Sequence, residues 1–214
     1  MVTVGATYGL ALKLFSPPAG RNASTPWMAA VAAAVVAFNP QFLFISGALN
    51  NDNAVTALCS LALWATVTYY DRPRSVRWLV ALGGLSGLAI LTKATGVAVT
   101  ALILGVLAAK AIRERQVRML WLDAGIVILL TVLVGGWWYA RNALLYADPF
   151  LARYINRYQG DRDAPKMATA ILRNFVEGEI SFWGTFGWLN ITWDEWIYTL
   201  LRGWTRLSGL GLLV

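Results

Sequence analysis

Between Thr25 and Tyr70 the chain carries one charged side chain, Asp52, set among Asn50, Asn51 and Asn53. One carboxylate and several amides within a turn can hold a hard divalent cation, orient the hydroxyls of a sugar, or accept a proton as a general base. The same residues also suit a helix start, where Asn or Asp accepts from free backbone N–H groups and negative charge meets the positive end of the dipole. A neutral asparagine would cap equally well. The charge therefore asks for a second role, because an isolated carboxylate among residues that prefer hydrocarbon marks a water-filled cavity or a site. Two further sparse cations join it, Lys93 in GLAILTKATG and Arg141 in WWYARN. Lys93 can snorkel to an interface from a helix C-terminus, or meet a phosphate as a point charge. Arg141, directly after Trp137, Trp138 and Tyr139, either anchors an interface or grips a phosphate through paired N–H bonds. Asp123 is read more simply, as a dipole partner near the start of its helix.

Other chemistries are excluded by what is missing. The sequence has no histidine, a single cysteine at Cys59, and no glycine-rich phosphate loop or HExxH or GxSxG pattern. Serine-histidine hydrolysis and zinc-histidine chemistry go with them. What remains is chemistry that carboxylates, cations and positioning can do, glycosyl transfer among it. The net charge of +7 does not point to nucleic acid, because the Lys and Arg residues fall in short clusters between apolar runs.

Those runs are the elements that must position the three charges. The 214 residues are 58% hydrophobic and 14% charged with a mean hydropathy of +0.56, a balance that belongs in a membrane. Five full-length apolar runs and two partial ones predict an all-α, polytopic bundle of about seven transmembrane helices. They cover residues 2–15, 26–46 with a kink at Pro40, 54–70, 78–91, 96–109, 119–139 and 196–214. The first lacks its outer half and the last stops without a polar flank, so both are expected to be truncated. The expected organisation is a bundle over 1–140, an extracytoplasmic segment with short interfacial helices over 141–195, and the start of a further membrane helix over 196–214.

Sidedness follows from counting Lys and Arg in short loops. Lys13 and Arg21, then Arg72, Arg74 and Arg77, then Lys110, Arg113, Arg115 and Arg118 occupy alternate loops, which places those loops in the cytoplasm. Asp52, Lys93 and Arg141 then share the outer face. The outer segment is rich in aromatics, and in SFWGTFGWLNITWDEW the rings interleave with glycines. Trp183 and Trp188 suit an interfacial belt, and they equally suit a wall that holds a sugar ring or a lipid chain.

Four stretches, NPQFLFISGALNNDN, GLAILTKATG, WWYARNALLYADPF and SFWGTFGWLN, occur in this order on this topology. Together they resemble the GT-C class of bacterial membrane glycosyltransferases, specifically relatives of the protein mannosyltransferases. The resemblance implies a polyprenyl-phosphate-linked sugar as donor, a membrane-lipid environment in the bacterial cytoplasmic membrane, and a site facing away from the cytoplasm. It also implies an acidic base in the first outer loop. The first helix here runs from outside to inside, as the second helix of that class does, so the expected base lies upstream of Met1 and these residues alone are expected to be inactive. Carried over residue by residue, Asp52 matches the acidic position of the second outer loop, Lys93 the LTK lysine and Arg141 the WWYARN arginine. Substrate binding is accordingly expected at Asp52, Asn51, Lys93, Arg141, Trp183 and Trp188, with a divalent cation at Asp52 as an option. Two rivals remain: a transporter or lipid flippase, which predicts charges near the midplane beside paired broken helices, and a non-catalytic scaffold, which predicts dispersed charges.

Overall fold

The computed structural model describes residues 1–16, 25–153, 178, 180–187 and 190–210. The chain forms two compact units, Met1–Ala37 with Leu49–Tyr154, and Phe38–Ala48 with Ile155–Val214. The first unit is entirely helical. It holds α1 (Val2–Leu14), α2 (Thr25–Ala37), α4 (Asn51–Tyr70), α5 (Val76–Thr92), α6 (Val97–Arg113), α7 (Val117–Thr131) and α8 (Trp137–Tyr146), while α3 (Pro40–Ser46) belongs to the second. A single π-turn, Val132–Gly136, joins α7 to α8, so the two run as one helix of 30 residues. The apolar run expected over 119–139 thus continues by about two turns, and Arg141 lies inside a helix rather than after one.

Helix starts follow their local chemistry. Asn50 caps α4, its side-chain oxygen accepting from Asn53 N at 3.2 Å, as the polar stretch around Asp52 predicts. At Pro40 the expected kink is a full break. Asn39, the residue before the proline, is extended and caps α3 by accepting from Phe42 N at 2.8 Å.

Small residues set how closely the helices of the first unit approach. Ala62, Ala65 and Tyr69 of α4, Leu79, Leu82 and Ala89 of α5, Val99, Ile103 and Leu107 of α6, and Val127 of α7 form its core. A Cβ added at Gly83 would stand 2.9 Å from the Val127 carbonyl oxygen, and one at Gly87 would stand 3.0 Å from that of Thr131. Gly135 in turn rests on the Gly87 carbonyl, 2.7 Å from where its own Cβ would be. These contacts bring the backbones of α5 and the α7–π-turn segment together in the way small residues permit within membranes. The buried polar groups are served locally: Thr131 donates to the Val127 carbonyl at 2.8 Å, and the Ser86 and Thr100 hydroxyls bond each other across α5 and α6. Large apolar side chains such as Trp27, Trp121, Leu129 and Leu133 point outward, which fits a lipid-facing surface.

The number of spans differs from the expected seven. Among the described residues, two helices can cross a membrane by length and composition, Ala94–Arg113 and Val117–Tyr146, or three if the broken pair Thr25–Ala37 and Pro40–Ser46 is one span. The other runs fall short for physical reasons. With 13 and 17 residues α1 and α5 are apolar but brief, and α4 gives its first turn to Asn51, Asp52 and Asn53. The last helix, Glu195–Leu210, is not among the apolar ones.

The second unit contains a feature the sequence hides, a two-residue antiparallel pair, β1 (Thr185–Phe186) and β2 (Ile191–Thr192), with Gly187 at φ +63° where the chain turns. Asn39 donates to the Phe182 carbonyl at 2.9 Å, and Gln41 accepts from Thr185 N at 2.9 Å, which ties α3 to this hairpin. Rings run from Phe44 through Phe186 and Trp193 to Tyr198, with centroids 5.3, 5.7 and 6.0 Å apart. The last helix, here α9 (Glu195–Leu210), completes the unit. The interfacial helices expected around 154–176 lie outside the described residues.

The glycine seam can be tested on one helix. Gly87→Val should lower the thermal stability of the detergent-solubilised protein, by about 1–3 kcal/mol for a side chain forced into filled space. Gly84→Ala, on the same helix with nothing within 4 Å of its added carbon, should not. Equal melting of both variants would dismiss the seam.

Candidate functional site

The charges of the first unit gather at two places, and they are used differently. Where α4 ends and α5 begins, every described carboxylate already has a cation. Lys13 and Arg113 meet Asp71 at 3.2 and 3.3 Å, Arg74 Nε donates to Asp123 at 2.7 Å, and Lys110 meets Glu114 at 2.8 Å. Asp123 is therefore buried and ion-paired, a stronger tie than the dipole partner expected from its position. Lys110, 5% exposed, spends its other donors on the carbonyls of Tyr70 (2.9 Å) and Arg72 (2.6 Å), so a side chain of α6 closes the C-terminus of α4. The Arg113 guanidinium adds a bond to Tyr70 O at 2.6 Å and lies 4.0 Å over the Tyr70 ring. A pocket of about 20 Å³ among Arg74, Lys110, Glu114, Gln116 and Asp123 is the size of one water. This network staples helix ends and leaves little for a substrate.

Lys13 and Arg113 share Asp71, Lys110 and Arg113 share Glu114, and Arg74 lines the same small pocket as Lys110, so cations from separate loops gather here. Arg21 lies outside the described residues.

At the other ends of α4 and α5 the chain carries far less charge. Asp52, in the first turn of α4, receives the Lys93 ammonium, and both side chains keep about 40% of their surface open. Asn51 Nδ2 donates to the Thr92 carbonyl at 3.3 Å, so neighbouring residues of α4 hold the last two residues of the LTK turn. Lys93 owes its placement to a sharp exit from α5: it is extended, and its carbonyl accepts from Gly96 N at 2.8 Å in the tight turn Ala94–Gly96. Gly96 permits that turn, because a Cβ there would come 2.5 Å from the Ala89 carbonyl.

Arg141 approaches from α8. The Tyr139 hydroxyl donates to Ile90 O at 2.9 Å, three residues before Lys93, so α8 lies along the same end of α5. Arg141 is exposed, stacks 5.2 Å from the Trp138 ring and bonds the Asn142 side chain at 3.4 Å. Among the described residues no carboxylate is paired with it. Asn142, 2% exposed, in turn reaches the Pro149 carbonyl at 3.5 Å. Tyr139 and Asn142, both inside WWYARN, are positioning residues. Motif reading passed over Asp148. Its carboxylate closes the turn after α8 by accepting from Arg153 N at 2.8 Å and Phe150 N at 3.3 Å, bonds that hold it below the usual carboxylate range.

The structure thus brings Asp52, Asn51 and Lys93 into direct contact and sets Arg141 on the helix that docks beside them. Lys93 and Arg141 are both accessible, and among the described residues neither Asp52 nor Asp148 is paired with the Arg141 guanidinium. That arrangement can receive an anion with several acceptor oxygens. For a divalent cation the donor set is poorer: the Asp52 carboxylate already faces an ammonium, and among the described residues no three of His, Cys, Asp and Glu converge. Trp183 belongs to the second unit, where its indole N–H donates to Thr205 at 3.3 Å and its ring meets Phe182 edge-on. Trp188 lies outside the described residues.

The chain matches one family model, described as dolichyl-phosphate-mannose-protein mannosyltransferase, over residues 2–138. No curated protein and no solved structure matches it.

The stapled helix ends make a prediction about acid. Lys110 hydrogen-bonds Glu114 and holds its carboxyl below the ordinary range. At Asp71 burial pushes the carboxyl up, but hydrogen bonds from Lys13 and Arg113 outweigh it and the net shift is downward. Carboxylates depressed in the folded state stabilise it fully above their unfolded value, about 4, and that contribution is lost as pH falls through the lower folded values. Melting temperature in detergent should therefore hold steady from neutral pH to about 5 and drop below about 4, with a smaller drop for Asp71→Asn combined with Glu114→Gln. An identical acid limb in this variant would show that these pairs contribute nothing.

Proposed function

Because the chain belongs to the dolichyl-phosphate-mannose-protein mannosyltransferase family, we propose that it takes part in moving a sugar from a polyprenyl-phosphate donor to an acceptor on the extracytoplasmic side of a bacterial cytoplasmic membrane. At the coarser level it is an integral membrane glycosyltransferase of the GT-C type, and its family implies a lipid-linked sugar donor. The observation that supports the finer reading is that every described carboxylate where α4 ends is ion-paired within the fold, while at the other end the Asp52–Lys93 pair stays half open and Arg141 is exposed with no carboxylate paired to it among the described residues.

The chemistry explains why such accessible cations are useful. A polyprenyl-phosphate sugar is a phosphodiester with one negative charge. In transfer with inversion the acceptor oxygen forms a bond to the anomeric carbon, the bond from that carbon to the phosphate oxygen breaks, and the acceptor proton passes to a base. The departing polyprenyl phosphate gains a second negative charge. Cations aimed at the phosphate bind the transition state and product more strongly than the bound donor, which is the condition for accelerating the chemical step.

In this reading Arg141 takes two phosphate oxygens and Lys93 a third, while Asp52 keeps the ammonium pointed at the site until the phosphate competes for it. Asn51 fixes the LTK turn from which Lys93 projects. The alternate basic loops support the sidedness, since the positive-inside rule puts the stapled ends in the cytoplasm.

Photocrosslinking with a polyprenyl-phosphate probe in nanodiscs tests the assignment without requiring turnover. Arg141→Ala should weaken probe binding roughly 10- to 100-fold, the range for losing a hydrogen-bonded charge contact, and Arg141→Lys should recover part of it. Lys93→Ala should also weaken binding, while thermal stability falls by at most about 1 kcal/mol, as for other half-exposed pairs. Equal labelling of wild type and the Lys93→Ala, Arg141→Ala double variant would remove the phosphate role.

A further inference from the structure

Helix α9 differs in kind from the helices of the first unit, and its faces can be read one by one. At 100° per residue, Trp196, Leu200, Trp204 and Leu207 fall within a stripe about 80° wide. All four are open, with 63, 62, 68 and 67% of their surface exposed. A second face is seated on the hairpin: Tyr198 is 3% exposed, its hydroxyl donates to Gly184 O at 2.5 Å and accepts from Trp193 N at 3.1 Å, and Thr205 accepts from the Trp183 indole. The third face carries Glu195, Thr199, Arg202 and Arg206, with Arg202 reaching Glu195 at 3.3 Å and no carboxylate, among the described residues, paired with Arg206.

We propose that the Trp196–Leu207 stripe of α9 is a lipid-docking surface, on which the helix lies in the plane of the membrane with its indoles at headgroup depth. The placement rests on four observations. One whole face of the helix is charged or hydroxylated, so it is too polar to lie as a lone span in the hydrocarbon. Half of its open stripe is tryptophan, the side chain that prefers the headgroup boundary. Its arginines occupy the polar face away from the stripe, the amphipathic charge pattern of helices that rest on membranes. Finally, the chain is an integral membrane protein, so a bilayer is always at hand to cover the stripe. This surface does not depend on the donor chemistry proposed above, and it replaces the membrane span expected over 196–214.

The test uses the full chain with Cys59→Ser, reconstituted in vesicles of phosphatidylcholine containing phosphatidylglycerol. Leu200→Cys and Trp204→Cys report the open stripe, Thr199→Cys and Arg206→Cys the polar face, each labelled with an environment-sensitive fluorophore. Aqueous iodide and lipids bearing a nitroxide near the headgroup or near the chain end serve as quenchers. The stripe positions should be quenched by the shallow nitroxide and be about fivefold or more less sensitive to iodide than the polar-face positions. Three results would overturn the proposal. Quenching by the deep nitroxide on both faces means a membrane span, iodide access on both faces means a solvent-exposed helix, and protection of the stripe from iodide and nitroxide alike means that protein covers it. Wild-type-like gel filtration of the Thr199→Cys and Arg206→Cys chains confirms that they fold.

Discussion

The contact of α5 with the helix that follows α6 governs the rest of the first unit. Backbone meets backbone at Gly83, Gly87 and Gly135, where no side chain intervenes. Because α5 and α7 are held this closely and run the same way, the end of one dictates where the end of the other lies. The Tyr139 bond to Ile90 is the visible result, and through it the single unpaired guanidinium of α8 is carried to the level of the LTK turn. In lipid no hydrophobic force draws helices together, so close packing and buried hydroxyl bonds of the Ser86–Thr100 kind supply the cohesion.

The second constraint is electrostatic. A bundle with few ions cannot afford to leave them unmatched in an apolar setting, and at the stapled end each described carboxylate and the buried Lys110 are fully engaged. The opposite end is sparser. Burial and pairing there are partial, so the groups stay available to something that arrives from outside. The division of labour needs no extra domain: the same helices present structure at one end and a candidate site at the other.

Much of this was legible beforehand, and the reasons can be located. The apolar runs over 54–70, 78–91 and 96–109 correspond to α4, α5 and α6 with shifts of a few residues at most ends, because in this composition a stretch free of charge has few alternatives to helix. Local signals could not reveal partners distant in sequence: the bond between Asp52 and Lys93 spans 41 residues, and Lys110 closes α4 from 40 residues away. Averages and positions give different pictures of the last helix. The stretch from Trp196 is rich in Trp and Leu, and read as a run it looks like a membrane helix. Read by position, its apolar residues recur at steps of four, four and three and leave a polar face between them. The hairpin at Thr185 was hidden for another reason, since two-residue strands carry no periodicity to detect.

The π-turn at Val132–Gly136 adds a consequence for the angle at which α8 leaves α7. A wide turn of this type holds one residue more than the α-helical ladder, and one residue is about 100° of rotation. Tyr139, Arg141 and Asn142 therefore owe their azimuth to a single inserted position two turns earlier, beside the Gly135 contact. A lineage that gained or lost one residue there would keep its hydropathy, its glycine seam and its length almost unchanged, yet would swing the guanidinium about a quarter of the way around the bundle. Single-residue indels in this stretch are thus a natural means of retuning what that end of the bundle can hold.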